Sequence, residues 1–193
     1  RHRHLDAAIQ QGGAGGGVAV HRGRRSDDTT GNTDPMAGDF RQVVQGTRAD
    51  SDGDLDLYVV SGSVEYPGGD HRLTDRLYHN RFNGTFTKAR RGQVPSVGES
   101  GGVVAAADYD RDGDLDLFVG GRTIPGRYPL APRSQLLRND GGRFTDVADE
   151  VAPGISRTGL VTGALWSDAD GDGWIDLLVT HEWGPVKLFR NAV

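Results

Sequence analysis

An all-β fold is what this sequence predicts, from three observations. An Asp- and Gly-rich loop recurs three times at one spacing, each copy running into a short strand pattern. A second strand-and-turn element recurs downstream of each loop. Thirty glycines and eight prolines against a single methionine describe short strands and frequent turns, not long amphipathic helices. A length of 193 residues, 35% of them hydrophobic, allows one domain or two small ones.

Along the chain, residues 1–39 come first and share nothing with the repeats after them. They contain no aromatic residue and a glycine cluster, Gly12-Gly13-Ala14-Gly15-Gly16-Gly17, among mixed Arg, His and Asp, and they read as a disordered leader outside the repeats. The cluster has no Gly-x-Gly-x-x-Gly register and no following Lys-Ser/Thr, so it is not a phosphate-binding loop. Three repeats are then expected, over about 40–99, 100–159 and 160–193. Ser51-Asp52-Gly53-Asp54-Leu55-Asp56-Leu57-Tyr58-Val59 aligns without gaps with residues 111–119 and 171–179, and Gly53, Gly113 and Gly173 stand sixty residues apart.

Each repeat carries signals for four short strands. In the second, Val103–Ala107 precede the loop and Leu115–Val119 follow it. In the first, Leu77-Tyr78-His79 and Phe86-Thr87 supply a later hairpin, with Asn83-Gly84 at its turn. That hairpin recurs from Leu137-Arg138-Asn139-Asp140 to Gly142-Arg143-Phe144-Thr145, and its third copy, Leu188-Phe189-Arg190-Asn191, reads as cut short. A four-stranded unit of this kind resembles a propeller blade. The expectation is a partial β-propeller of about two and a half four-stranded blades.

The loops carry the chemistry. In the second copy, Asp108, Asp110 and Asp112 occupy positions 1, 3 and 5 and direct alternate carboxylates to one side of a tight turn. Gly113 at position 6 permits the bend, Asp114 at position 7 offers its carbonyl, and Asp116 at position 9 brings a fourth carboxylate. Calcium, a hard cation that takes six to eight oxygens in flexible geometry, suits this array better than magnesium with its strict octahedron. An EF-hand is excluded, because position 12 is Val119 and not Glu, and a strand alternation instead of a helix follows the loop. The third copy keeps all four carboxylates, Asp168, Asp170, Asp172 and Asp176, with Trp174 at the carbonyl position. The first has Arg48 at position 1, leaving Asp50, Asp52 and Asp56 as ligands with Asp54 at position 7, and so is expected to hold calcium least well.

Thirteen aspartates lie in these three loops, and without them the formal charge of −5 would be +8. The acidity is local, which points to cation sites and away from a general field for basic partners. Basic residues are scattered and not interleaved with aromatics, which argues against nucleic-acid binding. No apolar run approaches the length of a membrane span, and there is no cysteine for disulfides or thiolate metal sites. His71 and His79 have no zinc-ligand spacing, His181-Glu182-Trp183 reads as a surface histidine beside a packing tryptophan, and Trp166, Trp174 and Trp183 are expected in the core. No nucleophile elbow or grouped Ser, His and Asp signals catalysis.

The three loops, their trailing Asp-Leu-x-x-Val strands and the Arg-Asn…Gly-x-Phe element resemble FG-GAP/VCBS repeats of integrin-type propellers and exported bacterial proteins. Residues 121–129 and 136–145 are similar to bacterial cartilage-acidic-protein-like members, associated with ASPIC/UnbV segments. The resemblance covers about residues 40–193 and implies Ca2+ held by the loop aspartates, an extracellular, cell-surface or periplasmic setting, and a role in adhesion or ligand binding rather than catalysis. It further implies an extracellular protein or carbohydrate ligand and the remaining blades of a parent propeller as partners. The alternative it leaves open is a non-catalytic part of an extracellular enzyme acting on polysaccharide or lipid.

Overall fold

The computed structural model describes residues 19–22, 41–47, 49, 50, 52, 54–83, 85–95 and 97–192. Their strands form three antiparallel sheets, each a meander in chain order. The first comprises β1 (Ala19–Arg22), β2 (Arg41–Thr47), β3 (Asp56–Gly62), β4 (Arg76–Asn80) and β5 (Phe86–Lys88). The second comprises β6 (Ser100–Ala107), β7 (Asp116–Thr123), β8 (Gln135–Asp140) and β9 (Arg143–Asp146). The third comprises β10 (Leu160–Ser167), β11 (Asp176–Glu182) and β12 (Lys187–Phe189). A one-turn helix, Ala148–Val151, follows β9. The chain is all-β, and its repeats are laid side by side as blades.

Among the described residues the sheets hold five, four and three strands, where four were expected in each complete repeat and fewer in the third. The extra strand of the first sheet is β1, from the stretch read as a leader, paired antiparallel to β2 with Val20 opposite Val43. The rest of residues 1–39 lies outside the described residues. The physical reason for β1 is local: Val18-Ala19-Val20 is a β-forming run, and β2 otherwise presents an unpaired edge.

Period-2 alternation distributes successive residues of one strand between two cores. On β7, Leu117 and Val119 join Val104, Leu137 and Phe144 against Tyr58, Val60 and Leu77 of the first sheet. Phe118 points the other way and meets Val161, Leu177 and Val179 of the third sheet, with Leu136, Val147 and Ile155. The middle sheet is thus covered on both faces, which is why β7 reads as an almost continuous apolar run. Two glycines permit the approach. A Cβ on Gly101 would lie 2.3 Å from Val60 Cγ1, and one on Gly120 would lie 2.6 Å from Val161 Cγ1.

The cross-strand rows show which face of the third sheet is bare. Tyr58 with Leu77, and Phe118 with Leu136, are buried between sheets. Their counterpart on the third sheet is Leu165–Leu178–Leu188, in which Leu165 and Leu188 are exposed.

Asp75 fixes the β3–β4 connection, accepting hydrogen bonds from Ser61 N–H (2.8 Å) and from the Tyr58 hydroxyl (3.1 Å). Burial pushes its carboxyl up to about 7, outweighing the opposite pull of those two bonds. A carboxyl whose folded pKa lies above its unfolded value of 3.8 adds stability in full below that value and loses it as pH rises through about 7. Asp75→Asn is therefore expected to flatten the decline of the melting temperature between about pH 4 and pH 7 relative to wild type, read by circular dichroism in chelator. Parallel pH profiles for the two proteins would refute this role.

Candidate metal centre

Each loop joins the first two strands of its repeat, β2–β3, β6–β7 or β10–β11. The backbone turns through left-handed positions that the sequence supplies with glycine: Gly113 has φ +99°, Gly171 +78° and Gly173 +89°. Arg111, at the position of Gly171, adopts φ +62° without being glycine.

Side chains at positions 1, 3 and 5 hold these turns. Asp108 Oδ2 accepts from Gly113 N–H at 3.1 Å, and Asp168 Oδ2 accepts from Gly173 N–H at 3.0 Å. Asp110 and Asp170 accept from the N–H two residues on, at 3.3 and 3.2 Å. Asp52, Asp112 and Asp172 do the same at position 5, at 3.2, 2.8 and 2.8 Å. These are the Asx turns that short carboxylates make with their own backbone.

Position 9 has a different task. Asp116 is fully buried; its Oδ2 accepts from Tyr109 N–H (3.1 Å) and its Oδ1 from Asn139 N–H on β8 (2.8 Å). Asp56 repeats this with Ala49 N–H (2.8 Å) and Asn80 N–H (2.9 Å), and Asp176 with Ala169 N–H (3.0 Å) and Asn191 N–H (2.9 Å). One carboxylate therefore ties the loop to the third strand of its own blade. Asn80, Asn139 and Asn191 are equivalent by this criterion, which shifts the gapless alignment of the downstream element by one residue in the second repeat.

Oxygens of Asp108, Asp110 and Asp116 lie within 4.8 Å of one another, as do those of Asp168, Asp170 and Asp176. Asp112 and Asp172 fall outside these groups. In the first loop Asp50, Asp52 and Asp54 converge, and Asp50 also groups with Asp56 and His79. Asp54 enters by its side chain, where its carbonyl was expected to serve. Asp114 at the same position instead accepts from Gly141 N–H at 2.9 Å, and Trp174 lies under the Arg111 guanidinium, 3.7 Å from its ring centroid. Arg111 also donates to the Gly173 carbonyl, linking the second and third loops. Arg48 lies outside the described residues.

Of the two all-oxygen loops, the second fits a cation better than the third. Asp108 Oδ1 is buried and makes no hydrogen bond, which leaves a desolvated oxygen in need of a positive partner. Burial pushes Asp116 up to about 7, opposed by the N–H groups of Asn139 and Tyr109 and reinforced by Asp110 and Asp112. Asp110 is raised by burial and then by Asp112. In the third loop both Asp168 oxygens are hydrogen-bonded, Arg190 pairs with Asp170, and the bonds from Asn191 and Ala169 hold Asp176 below the usual carboxylate range. Both loops present suitable donors, but only the second leaves one of them orphaned.

Residues 49–119 match the FG-GAP-like repeat family. The chain is 32% identical over 106 residues to cartilage acidic protein 1 of Homo sapiens, covering 54% of this chain and 15% of that protein. Over 152 residues it is 30% identical to the Xenopus tropicalis protein of the same name, covering 74% and 22%. The mouse protein is 33% identical over 95 residues, 46% of this chain and 14% of its own length. No solved structure matches the chain. The FG-GAP-like match takes in most of the first loop and the whole of the second.

Away from the loops, Trp166 packs as expected, stacked on Tyr109 at 6.2 Å between centroids, but Trp183 does not: it is 80% exposed. Its indole donates to the Tyr128 hydroxyl, which donates to Glu182, itself paired with Arg122. Tyr128 and Trp183 border a cleft of about 460 Å³ between the β7–β8 and β11–β12 connections. His181 is structural, bonded to Thr158 and to the Pro185 carbonyl at 2.9 Å each. Among the described residues, no helix is long and apolar enough to cross a membrane.

Two roles of the loop carboxylates can be separated without metal. In chelator, Asp116→Ala leaves two N–H groups unsatisfied and is expected to cost about 2–5 kcal/mol in urea unfolding, against about 1 kcal/mol for Asp112→Ala. Equal, small effects for the two would show that position 9 serves only as a ligand.

Proposed function

We propose that the repeats are calcium-stabilised blades of an extracellular binding or adhesion protein, with Ca2+ as a structural ion and no catalytic step of their own. The observation that carries this reading is the convergence of Asp108, Asp110 and Asp116 around the unpartnered, buried Asp108 Oδ1. A hard dication neutralises crowded carboxylates, accepts several oxygens and couples binding to folding of the loop. Dissociation constants of about 10⁻⁴ to 10⁻³ M, usual for extracellular modules, would fill such sites outside a cell and leave them empty in cytosol. Extracellular placement also agrees with the likeness to the cartilage acidic proteins.

The chain spans 15% to 22% of the length of its human and frog relatives, so the partners of the whole protein are proposals too. Further blades are one class, because the Leu165–Leu178–Leu188 row has the position that is covered in the other two sheets. Calorimetry should find one Ca2+ bound first, abolished by Asp108→Asn, and a weaker event at the third loop, where Arg190 must release Asp170. At a free concentration about twentyfold above the dissociation constant, the ion should add about 2 kcal/mol of stability. Equal heats for wild type and Asp108→Asn would sink the assignment.

A second reading is favoured by Trp183 and Tyr128. An exposed indole and phenol bordering a cleft with Glu182 and Lys187 is a surface suited to a carbohydrate, either as the ligand of an adhesion protein or as the substrate of an enzyme in which these blades are the non-catalytic part. Trp183→Ala should weaken retention on polysaccharide affinity gels at least tenfold while leaving calcium binding unchanged; unaltered retention would count against this cleft.

A further inference from the structure

The first loop departs from the other two in a correlated way. Position 1 is Arg48, so a hard carboxylate donor is lost. The strand residue before the stapling asparagine is His79, where the second and third repeats have Arg138 and Arg190. Arg190 supplies the cation for Asp170, the residue equivalent to Asp50. An imidazole can do what a guanidinium cannot, which is to offer a lone pair to a metal.

The geometry supports that use. The His79 side chain is 91% buried, and its Nδ1 makes no hydrogen bond. Nδ1 lies 3.2 Å from Asp50 Oδ2 and 3.6 Å from Asp56 Oδ2, with all three atoms grouped closely enough to share one ion. A tetrahedron with metal–ligand bonds of about 2.0–2.1 Å has edges of about 3.3 Å, so the two separations match a small first-row ion. Asp56 Oδ1 and Oδ2 are held by Asn80 and Ala49 N–H groups, which orients the carboxylate as outer-shell bonds orient metal ligands. Asp50 Oδ1 and both Asp54 oxygens are buried without hydrogen bonds, leaving negative charge and a further donor beside the site.

We propose that Asp50, Asp56 and His79 form a mixed nitrogen–oxygen site for a divalent first-row transition ion of the Zn2+ class, distinct in preference from the all-oxygen second and third loops. Calcium rarely takes nitrogen donors, whereas imidazole with carboxylates suits zinc, cobalt and nickel. The site is independent of the calcium reading, since it draws on the loop that fits calcium least.

The test uses Co2+ as a spectroscopic probe on the full chain, in buffer containing millimolar Ca2+ to fill the oxygen sites. One equivalent of Co2+ should bind with visible d–d absorption and be displaced by Zn2+ but not by more Ca2+. His79→Asn, and separately the part-exposed Asp50→Asn, should each weaken this at least tenfold, while Asp108→Asn leaves it intact; circular dichroism confirms folding. Absence of Co2+ bands under these conditions overturns the proposal. So does binding that persists unchanged in both first-loop variants, because it then belongs to histidines elsewhere on the chain. Displacement by Ca2+ would place the ion in an ordinary calcium loop and overturn it as well.

Discussion

A buried carboxylate at the start of the second strand of each blade is the constraint on which the rest of the structure depends. Asp56, Asp116 and Asp176 are shielded from solvent, and each spans from the loop backbone to an asparagine N–H at the end of the third strand or just beyond it. Removing such a charge from water is costly unless hydrogen bonds or a cation compensate it. Two N–H donors compensate each of these carboxylates, and two neighbouring loop acids converge on each of Asp116 and Asp176. Fold and candidate site therefore share the residue that joins loop to strand.

The repeats place different basic side chains beside these carboxylates. In the third, Arg190 pairs with Asp170. In the second, Arg138 turns to Asp140, and Asp108 keeps an unpartnered oxygen. In the first, His79 is set against Asp50 and Asp56. Identical loop spacing thus yields three electrostatic environments, set by whether the residue before the asparagine is His or Arg and by which carboxylate that side chain meets. Arg111 then links two of the loops by covering Trp174 and bonding the Gly173 carbonyl.

Much of this was legible in the chain. The strand after each loop appears in the structure, as does glycine at the turn of the second and third loops, because tight turns and period-2 strands depend on nearest neighbours in sequence. The separate duties of the carboxylates were not legible. Asp112 and Asp172 look like Asp108 and Asp168 in the pattern, yet they act in turns and stand outside the convergent groups. Trp183 looked like a core residue and lies in solvent, since the burial of an aromatic at a loop end depends on what the neighbouring blade presents.

What the sequence by itself determined is the all-β repeat and the position of the acidic loops, since those depend on local charge density, turn residues and alternation. What only the tertiary structure decided is which acids meet. Asn80, Asn139, Asn191 and His79 lie 15 to 29 residues from the aspartates they serve, and no pattern within a loop specifies a partner on another strand. Hydrogen-bond register across the sheet brings them together, and with them the difference between a turn, a staple and a metal site.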